Sequence, residues 1–136
     1  DKQINLKIKS ALKSGLKIIF CIGENLSEKR KKITKKILNR QIRLGLNKIR
    51  NKKKIIIAYE PVWSIGTGHI PKPNELFDTI DFIKKRIINQ KVLYGGSVNS
   101  NNISLLKSIN NIDGFLIGGA SQDSKKFIDI IKKTFI

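Results

Sequence analysis

The sequence contains no methionine and only one cysteine, one histidine and one tryptophan among its 136 residues. A single cysteine excludes an internal disulfide, which fits a reducing compartment. One cysteine and one histidine do not make a metal site, so we expect no metal, and the chain has no Walker or dinucleotide motif. No apolar run approaches the 18 residues that a membrane-spanning helix needs, and no signal-peptide pattern is present. We therefore expect a cytoplasmic protein without a membrane partner. The missing methionine suggests that the sequence begins inside a longer protein or was processed.

Acidic residues are also scarce, ten against 28 Lys and Arg, which gives a formal net charge of +18. Such a charge can indicate a nucleic-acid-binding protein. A simpler explanation is compositional, because Lys, Ile and Asn supply 61 of the 136 residues and all three have A/T-rich codons. Ile contributes nothing to phosphate binding, and the basic residues are spread over every predicted helix. We expect loose, salt-sensitive association with polyanions and no specific nucleic-acid partner.

Hydrophobic spacing predicts an alternation of helices and strands. Helices are predicted before Gly15, over residues 28–49, from Pro73, over 101–109 and from Asp123. Strands are predicted at residues 16–22, 55–59, 91–94 and 115–117. In the last two long helices the inward positions are Leu76, Ile80, Ile83 and Ile87, then Phe127, Ile130 and Ile131. The strands are continuously apolar, as is typical of parallel strands covered on both faces, so Cys21 is expected to be a small core residue.

One helix followed by four strand–helix units predicts an α/β protein of βαβ units with right-handed crossovers. The unusual residues follow the strands: Gly23-Glu24, Glu60-Pro61, Gly95-Gly96-Ser97 and Gly118-Gly119. In a (βα)8 barrel the chemistry lies on the loops at the carboxyl ends of the strands, and a phosphate site lies after strands seven and eight. If these strands are the last four of eight, the two glycine turns occupy the phosphate positions.

Glu60 stands at the exit of a buried strand, and Pro61 keeps it in extended geometry. A carboxylate at a water-poor strand end can act as a general base. An ordinary strand-end Glu that caps the next loop fits its position equally well. Glu24, after the preceding strand, is expected to cap the following segment or to bond a neighbouring side chain.

The loop after Glu60 has Pro at one end, apolar Trp63 and Ile65 within it, and Gly66-Thr67-Gly68 beyond. Rigid ends around apolar contacts suit a lid that shuts out water, although a long surface loop is the alternative. Gly66 would let a backbone N–H approach a ligand closely. His69, at the far end, is expected to be a surface or hinge residue.

The two glycine turns can bind phosphate through backbone N–H groups, without any basic side chain. Ser97 follows the first turn, and Asp123 is placed to open a helix after the second. Each glycine pair alone could be no more than a tight turn. Two pairs at successive strand ends, with a Ser, favour phosphate binding.

Four segments resemble the triosephosphate isomerase family, in the same order along the chain: residues 21–24, 58–68, 94–98 and 113–121. The resemblance implies a TIM barrel, of which residues 1–136 form the C-terminal half of a single domain, from helix 4 through strand 5 to helix 8. It implies a homodimer without cofactor that interconverts D-glyceraldehyde 3-phosphate and dihydroxyacetone phosphate in glycolysis and gluconeogenesis. By the same resemblance Glu60 is the catalytic base, and the substrate phosphate meets Gly66, Ser97, Gly118 and Gly119. The implied lid and hinge residues are Pro61, Val62, Trp63, Ser64, Ile65, Thr67, Gly68, His69 and Tyr94, and Ser97 also helps to hold the closed lid.

The family further requires an Asn and a Lys after its first strand and an electrophilic His after its fourth, and those segments are not part of this sequence. We therefore expect the chain to be nearly inactive alone. The alternative is a half-barrel that only binds phosphates or self-associates, without catalysis, since strands at an open edge invite association.

Overall fold

The computed structural model describes residues 1–135, in which helices and strands alternate as the hydrophobic pattern predicts. The elements are α1 (Lys2–Lys13), β1 (Ile18–Ile22), α2 (Leu26–Arg30), α3 (Thr34–Gly45), β2 (Ile55–Tyr59), α4 (Pro73–Arg86), β3 (Val92–Tyr94), α5 (Ile103–Lys107), β4 (Gly114–Phe115), a 3₁₀ turn (Gly119–Gln122) and α6 (Ser124–Phe135).

The four strands form one parallel sheet in the order β1-β2-β3-β4. This confirms the predicted fold class, a parallel α/β sheet built as part of a barrel. The register aligns the last residues of the strands, Ile22 beside Tyr59, Tyr59 beside Tyr94, and Tyr94 beside Phe115. The residues that follow the strands are consequently neighbours at the carboxyl ends of the strands.

Helices α1, α3 and α4 pack against the sheet with apolar side chains, and the buried apolar residues of α5 belong to the same core. The predicted inner face of α4 is fully buried, and Pro73 is the first residue of that helix. The most buried core side chains are Leu38, Ile57, Ala58, Leu76, Ile80, Ile83, Val92, Tyr94, Ile103 and Leu106, each with 0% exposure. Burial of these side chains is the main source of stability, because each Å² of apolar area removed from water contributes about 25 cal/mol.

Cys21 is exposed, so the prediction that it is a core residue was wrong. Side chains alternate between the two faces of a strand. Phe20 and Ile22 point to the helices and are buried, whereas Ile19 is 47% exposed and shares the opposite face with Cys21. Within residues 1–135, the prediction that both faces of each strand are covered is therefore wrong for β1.

The helix predicted over residues 28–49 is two helices, α2 and α3. Asn25 and Glu28 form a capping box that starts α2 earlier, at Leu26. Lys32 then adopts a positive φ of 57°, which a continuous right-handed helix cannot accommodate. The pattern of apolar residues did not reveal this break.

In α6 only Ile130 of the three predicted inward residues is buried, at 2% exposure. Phe127 and Ile131 are 36% and 42% exposed and line an open groove beside β4. Their predicted burial was wrong because α6 packs mainly against α5 and the 3₁₀ turn. Asp123 opens the helix as predicted, since its carboxylate accepts hydrogen bonds from the backbone N–H groups of Lys125 (2.9 Å) and Lys126 (3.2 Å).

Candidate active site

Glu60 lies half-buried at the carboxyl end of β2, between the loops that follow β1 and β3. Its backbone N–H donates to the carbonyl of Ile22 at 2.8 Å, which extends the β1–β2 ladder by one residue. This additional hydrogen bond fixes the position of the Glu60 backbone, from which the side chain extends.

Glycines on both sides leave room for Glu60. A Cβ on Gly95 would stand 2.6 Å from Glu60 Oε1 and 2.8 Å from its Cγ. A Cβ on Gly23 would overlap the Glu60 carbonyl oxygen. The sequence did not reveal that Gly95 clears space for the carboxylate and Gly23 for the backbone of Glu60, because both roles depend on the register of the sheet.

Cys21 is a titratable neighbour of Glu60. The pKa of its thiol is raised from 9.0 to about 11, first because its surroundings desolvate the thiolate, then because the Glu60 carboxylate repels that charge and accepts a hydrogen bond from the thiol. Although the residue as a whole is exposed, the thiol therefore stays protonated near neutral pH.

Glu24 is fully buried and holds the beginning of the predicted lid. Its carboxylate accepts hydrogen bonds from Trp63 Nε1 at 2.9 Å and from the Tyr59 hydroxyl at 3.1 and 3.2 Å. Its carbonyl accepts from the N–H of Val62 at 3.0 Å. Burial, and then the Glu24 charge, raise the pKa of Tyr59. Glu24 thus bonds neighbouring side chains, one of the two roles expected for it.

The lid segment, residues 61–69, is a series of tight turns anchored by its buried members. Pro61 and Ser64 are buried, whereas Val62 and Ile65 are 56% and 50% exposed. Ser64 N–H donates to the Pro61 carbonyl at 2.8 Å, and the Ser64 hydroxyl donates to the carbonyl of exposed His69. The segment is therefore internally bonded, with its apolar tip in solvent.

Two glycines and one threonine shape the far part of the lid. Gly66 and Gly68 have φ values of +70° and +79°, a left-handed geometry that favours glycine. Thr67 Oγ1 donates to the carbonyls of Trp63 (3.2 Å) and Ser64 (3.1 Å).

The lid is joined to the loop after β3 by hydroxyl groups. Ser97 Oγ accepts from Gly68 N–H at 3.0 Å and donates to the Ser64 carbonyl. The Tyr94 hydroxyl lies 3.2 Å from Ser64 Oγ. Because Ser64 donates its hydrogen to the His69 carbonyl, the Tyr94 hydroxyl is the donor in this contact, and burial raises the pKa of Tyr94 to about 12. Gly96 keeps this contact open, since a Cβ there would lie 2.5 Å from Ser64 Oγ.

Ser97 has a positive φ of 46°, which is uncommon for a residue with a side chain. Its carbonyl accepts hydrogen bonds from Asn102 Nδ2 at 2.9 Å and from Asn99 Nδ2 at 3.2 Å. The two amides hold Ser97 in this conformation. Sequence reasoning did not identify them, because an Asn-rich stretch in an Asn-rich chain carries no distinct signal.

All five residues predicted as the base and the phosphate contacts line one cavity of about 440 Å³: Glu60, Gly66, Ser97, Gly118 and Gly119. The 3₁₀ turn begins at Gly119, so its first backbone N–H groups have no partner within the turn and are open to an anion. The arrangement combines one carboxylate with a set of neutral donors, which suits removal of a proton from a small anionic molecule.

Within residues 1–135, no group of three His, Cys, Asp or Glu side chains could hold a metal ion. Over the same residues no helix is long and apolar enough to cross a membrane.

A family model described as triosephosphate isomerase matches residues 1–134. Three curated relatives carry the name triosephosphate isomerase. The protein of Thermodesulfovibrio yellowstonii is 42% identical over 140 residues, which cover 97% of this chain and 57% of the relative. That of Dictyoglomus thermophilum is 43% identical over 143 residues, with the same coverage of 97% and 57%. That of Wolbachia pipientis is 40% identical over 133 residues, which cover 98% of this chain and 54% of the relative. The chain spans about half the length of the curated relatives it matches.

Proposed function

Because the chain belongs to the triosephosphate isomerase family, we propose that it carries the base, lid and phosphate loops of an enzyme that interconverts D-glyceraldehyde 3-phosphate and dihydroxyacetone phosphate. In this proposal residues 1–136 are the C-terminal half of one barrel domain. The supporting observation is the cavity that brings Glu60 together with Gly66, Ser97 and the Gly118-Gly119 turn.

Glu60 is the proposed base. It accepts a proton from the carbon beside the substrate carbonyl, and the electrons of that C–H bond form the double bond of an enediol. The protonated carboxyl then returns the proton to the neighbouring carbon. One hydrogen moves between carbons and one between oxygens, so the reaction needs no redox partner. Proton transfer by a positioned side chain typically contributes about 10²- to 10⁴-fold in rate.

The substrate phosphate is proposed to bind the backbone N–H groups of Gly66, Gly118 and Gly119 and the hydroxyl of Ser97. Neutral donors at turns and helix N-termini bind phosphate without basic side chains. Ser97 Oγ accepts from the lid at Gly68 N–H and donates its one hydrogen to the Ser64 carbonyl, so donation to phosphate would replace the bond to Ser64 while keeping the bond from Gly68. Substrate binding and lid position are then coupled through this residue.

The closed lid is proposed to exclude water from the enediol. Exclusion strengthens electrostatic interactions in the site and prevents side reactions of the intermediate. Trp63 and Tyr94 contribute by holding the ends of the lid, through Glu24 and Ser64 respectively.

Polarisation of the substrate carbonyl is proposed to require residues from outside this chain. Its single histidine, His69, is exposed at the end of the lid, where its hydrogen bonds are made by the backbone: its carbonyl accepts from Ser64 and its N–H donates to Thr67 Oγ1. Losing one preorganised donor to a developing oxyanion typically costs about 10²- to 10³-fold in rate. We accordingly propose that the chain alone is nearly inactive, and that the whole enzyme is a cytoplasmic homodimer of glycolysis and gluconeogenesis.

A second candidate is a half-barrel that binds phosphate or self-associates without catalysis. It is favoured by the sheet edges, since within the described residues β1 pairs only with β2 and β4 only with β3. Unpaired strand edges are templates for association.

A chimera distinguishes the two candidates. In it, the matched segment of the Thermodesulfovibrio yellowstonii relative is replaced by this chain, and triose phosphate isomerisation is assayed alongside the unaltered relative and the isolated chain. We expect the chimera to turn over substrate and the isolated chain to show almost none. A folded chimera that binds inorganic phosphate but does not isomerise would favour the second candidate, and family-like turnover by the isolated chain would contradict the proposed need for other residues.

A further inference from the structure

Lys29 lies beside the beginning of the lid, although it is distant in sequence. It belongs to the short helix α2, which the Asn25–Glu28 capping box holds in place. Its Nζ stands 4.4 Å from the centre of the Trp63 ring. The same Nζ is 2.9 Å from Glu75 Oε2, in the first turn of α4. One ammonium group therefore touches the third residue of the lid and the helix that follows the lid.

The Trp63 ring is held by two charged groups, a cation over its face and a carboxylate at its N–H edge, and each attracts the part of the indole that it contacts. An indole has a negative face and a positive N–H edge. Lys29 lies over the face, and the buried Glu24 carboxylate accepts from the edge at 2.9 Å. Release of the ring would break the hydrogen bond and leave Glu24 without one of its donors.

We propose that Lys29 is a positioning residue for the lid: it holds the Trp63 ring against Glu24 and, through Glu75, links the beginning of the lid to the first turn of α4. The effect of Lys29 on substrate binding rests on the proposed function, whereas its effect on the position of the Trp63 ring does not. The ion pair with Glu75 is on the surface, where such pairs contribute little stability alone. The cation over the ring is consequently the part of the arrangement that the proposal depends on.

Trp63 is the only tryptophan of the chain, so its fluorescence reports the lid directly. In the 136-residue chain we expect Lys29→Met to shift the emission to longer wavelength and to increase quenching by acrylamide. A cation–π contact at a partly exposed site shifts an equilibrium by roughly two- to fivefold, and the released fraction of Trp63 should rise by that factor. Circular dichroism establishes that the variant remains folded.

Three further variants separate charge from shape. Lys29→Arg keeps a cation that stacks well on aromatic rings and should restore the wild-type emission and quenching. Arg30→Met removes the next charge on α2 and should leave Trp63 unchanged. Glu75→Gln removes the ion pair but keeps the cation over the ring, and should change the emission less than Lys29→Met does.

Inorganic phosphate, titrated against the wild-type chain and Lys29→Met, extends the test to the site. Because Gly66 of the lid is proposed to contact phosphate, phosphate affinity should fall roughly two- to fivefold in Lys29→Met and recover in Lys29→Arg. Unchanged Trp63 fluorescence in folded Lys29→Met, or the same change in Lys29→Arg or Arg30→Met, would overturn the positioning role. If wild-type phosphate binding is absent while the fluorescence changes as expected, the proposed function fails and the positioning of Trp63 stands.

Discussion

Glu60 and Cys21 illustrate how the environment of a single residue depends on neighbours from different strands. The sequence marks Glu60 by its place after a buried strand and before Pro61. It does not show that Gly95 clears space for the carboxylate and Gly23 for the backbone of Glu60, or that Cys21 faces the same side of the sheet. Those facts follow from the parallel register, which aligns residue 22 with 59 and 59 with 94.

The Cys21 thiol provides a test of this geometry in a chain with one cysteine. With a pKa near 11 instead of 9.0, its thiolate is roughly a hundredfold scarcer at pH 8 than that of an ordinary thiol. Since a more basic thiolate is also a better nucleophile, alkylation by iodoacetamide should be slower by roughly tenfold. Glu60→Gln should lower the apparent pKa in the pH–rate profile, because it removes the repelling charge but not the desolvation.

Asp81→Asn is the control, since Asp81 pairs with Lys85 on α4. It should leave the profile unchanged, and an identical profile in Glu60→Gln would refute the contact between the thiol and the carboxylate.

The raised pKa of the Cys21 thiol also makes the stability of the fold depend on pH. Because the folded pKa lies above the unfolded one, the thiol's contribution to stability is complete below pH 9 and is lost as the pH rises through about 11.

Among the elements, α4 was predicted well, whereas the conformation of residues 61–69 was not predicted. Helix α4 has a proline at its first position and four apolar residues at helical spacing, two strong local signals. The lid has no periodic pattern, and its conformation depends on bonds to Glu24, Tyr94 and Ser97 from other loops. The break after α2 escaped prediction because Lys32, rather than a glycine, adopts the left-handed conformation there.

Ser97 should determine how firmly the lid is held. Ser97→Ala removes both the acceptor for Gly68 N–H and the donor to the Ser64 carbonyl. Each hydrogen bond contributes about 1 kcal/mol, so hydrogen exchange of the Gly68 amide should accelerate by roughly 5- to 30-fold. Two-dimensional NMR of the exchanging chain measures this rate.

Ser108→Ala is a matched control for that experiment, because Ser108 Oγ donates to the Leu105 carbonyl at the end of α5, away from the lid. Exchange at Gly68 should be unaffected in this variant. Equal Gly68 exchange in wild type and Ser97→Ala would show that the hydroxyl does not hold the lid.

At the scale of the whole molecule, the alternation of helices and strands was sufficient to predict a parallel sheet. The predicted burial on both faces of β1, and of Phe127 and Ile131 in α6, was wrong. A sequence pattern shows which side chains are apolar, but it cannot show which partner covers them. In the described chain one face of β1 and the groove beside α6 remain exposed.

The charge of the whole molecule should make its stability sensitive to salt. The chain has 28 basic and 10 acidic residues, and the six ion pairs within residues 1–135 have partly or largely exposed side chains. Net repulsion therefore dominates and is screened by salt. Raising NaCl from low to physiological concentration should raise the thermal midpoint, by roughly 3–5 °C if screening contributes about 1 kcal/mol. Calorimetry measures this shift, and a midpoint that falls with salt would contradict the balance of charges.

The most direct test of the central claim is exchange of carbon-bound hydrogen between triose phosphate and deuterated water, followed by NMR in the chimera and in its Glu60→Gln variant. If Glu60 is the base, Glu60→Gln should lower the exchange rate by at least about 10²- to 10⁴-fold. Affinity for inorganic phosphate should be nearly unchanged, and Asp81→Asn should exchange at the rate of the unmodified chimera. Exchange at a near-normal rate in Glu60→Gln would contradict the account.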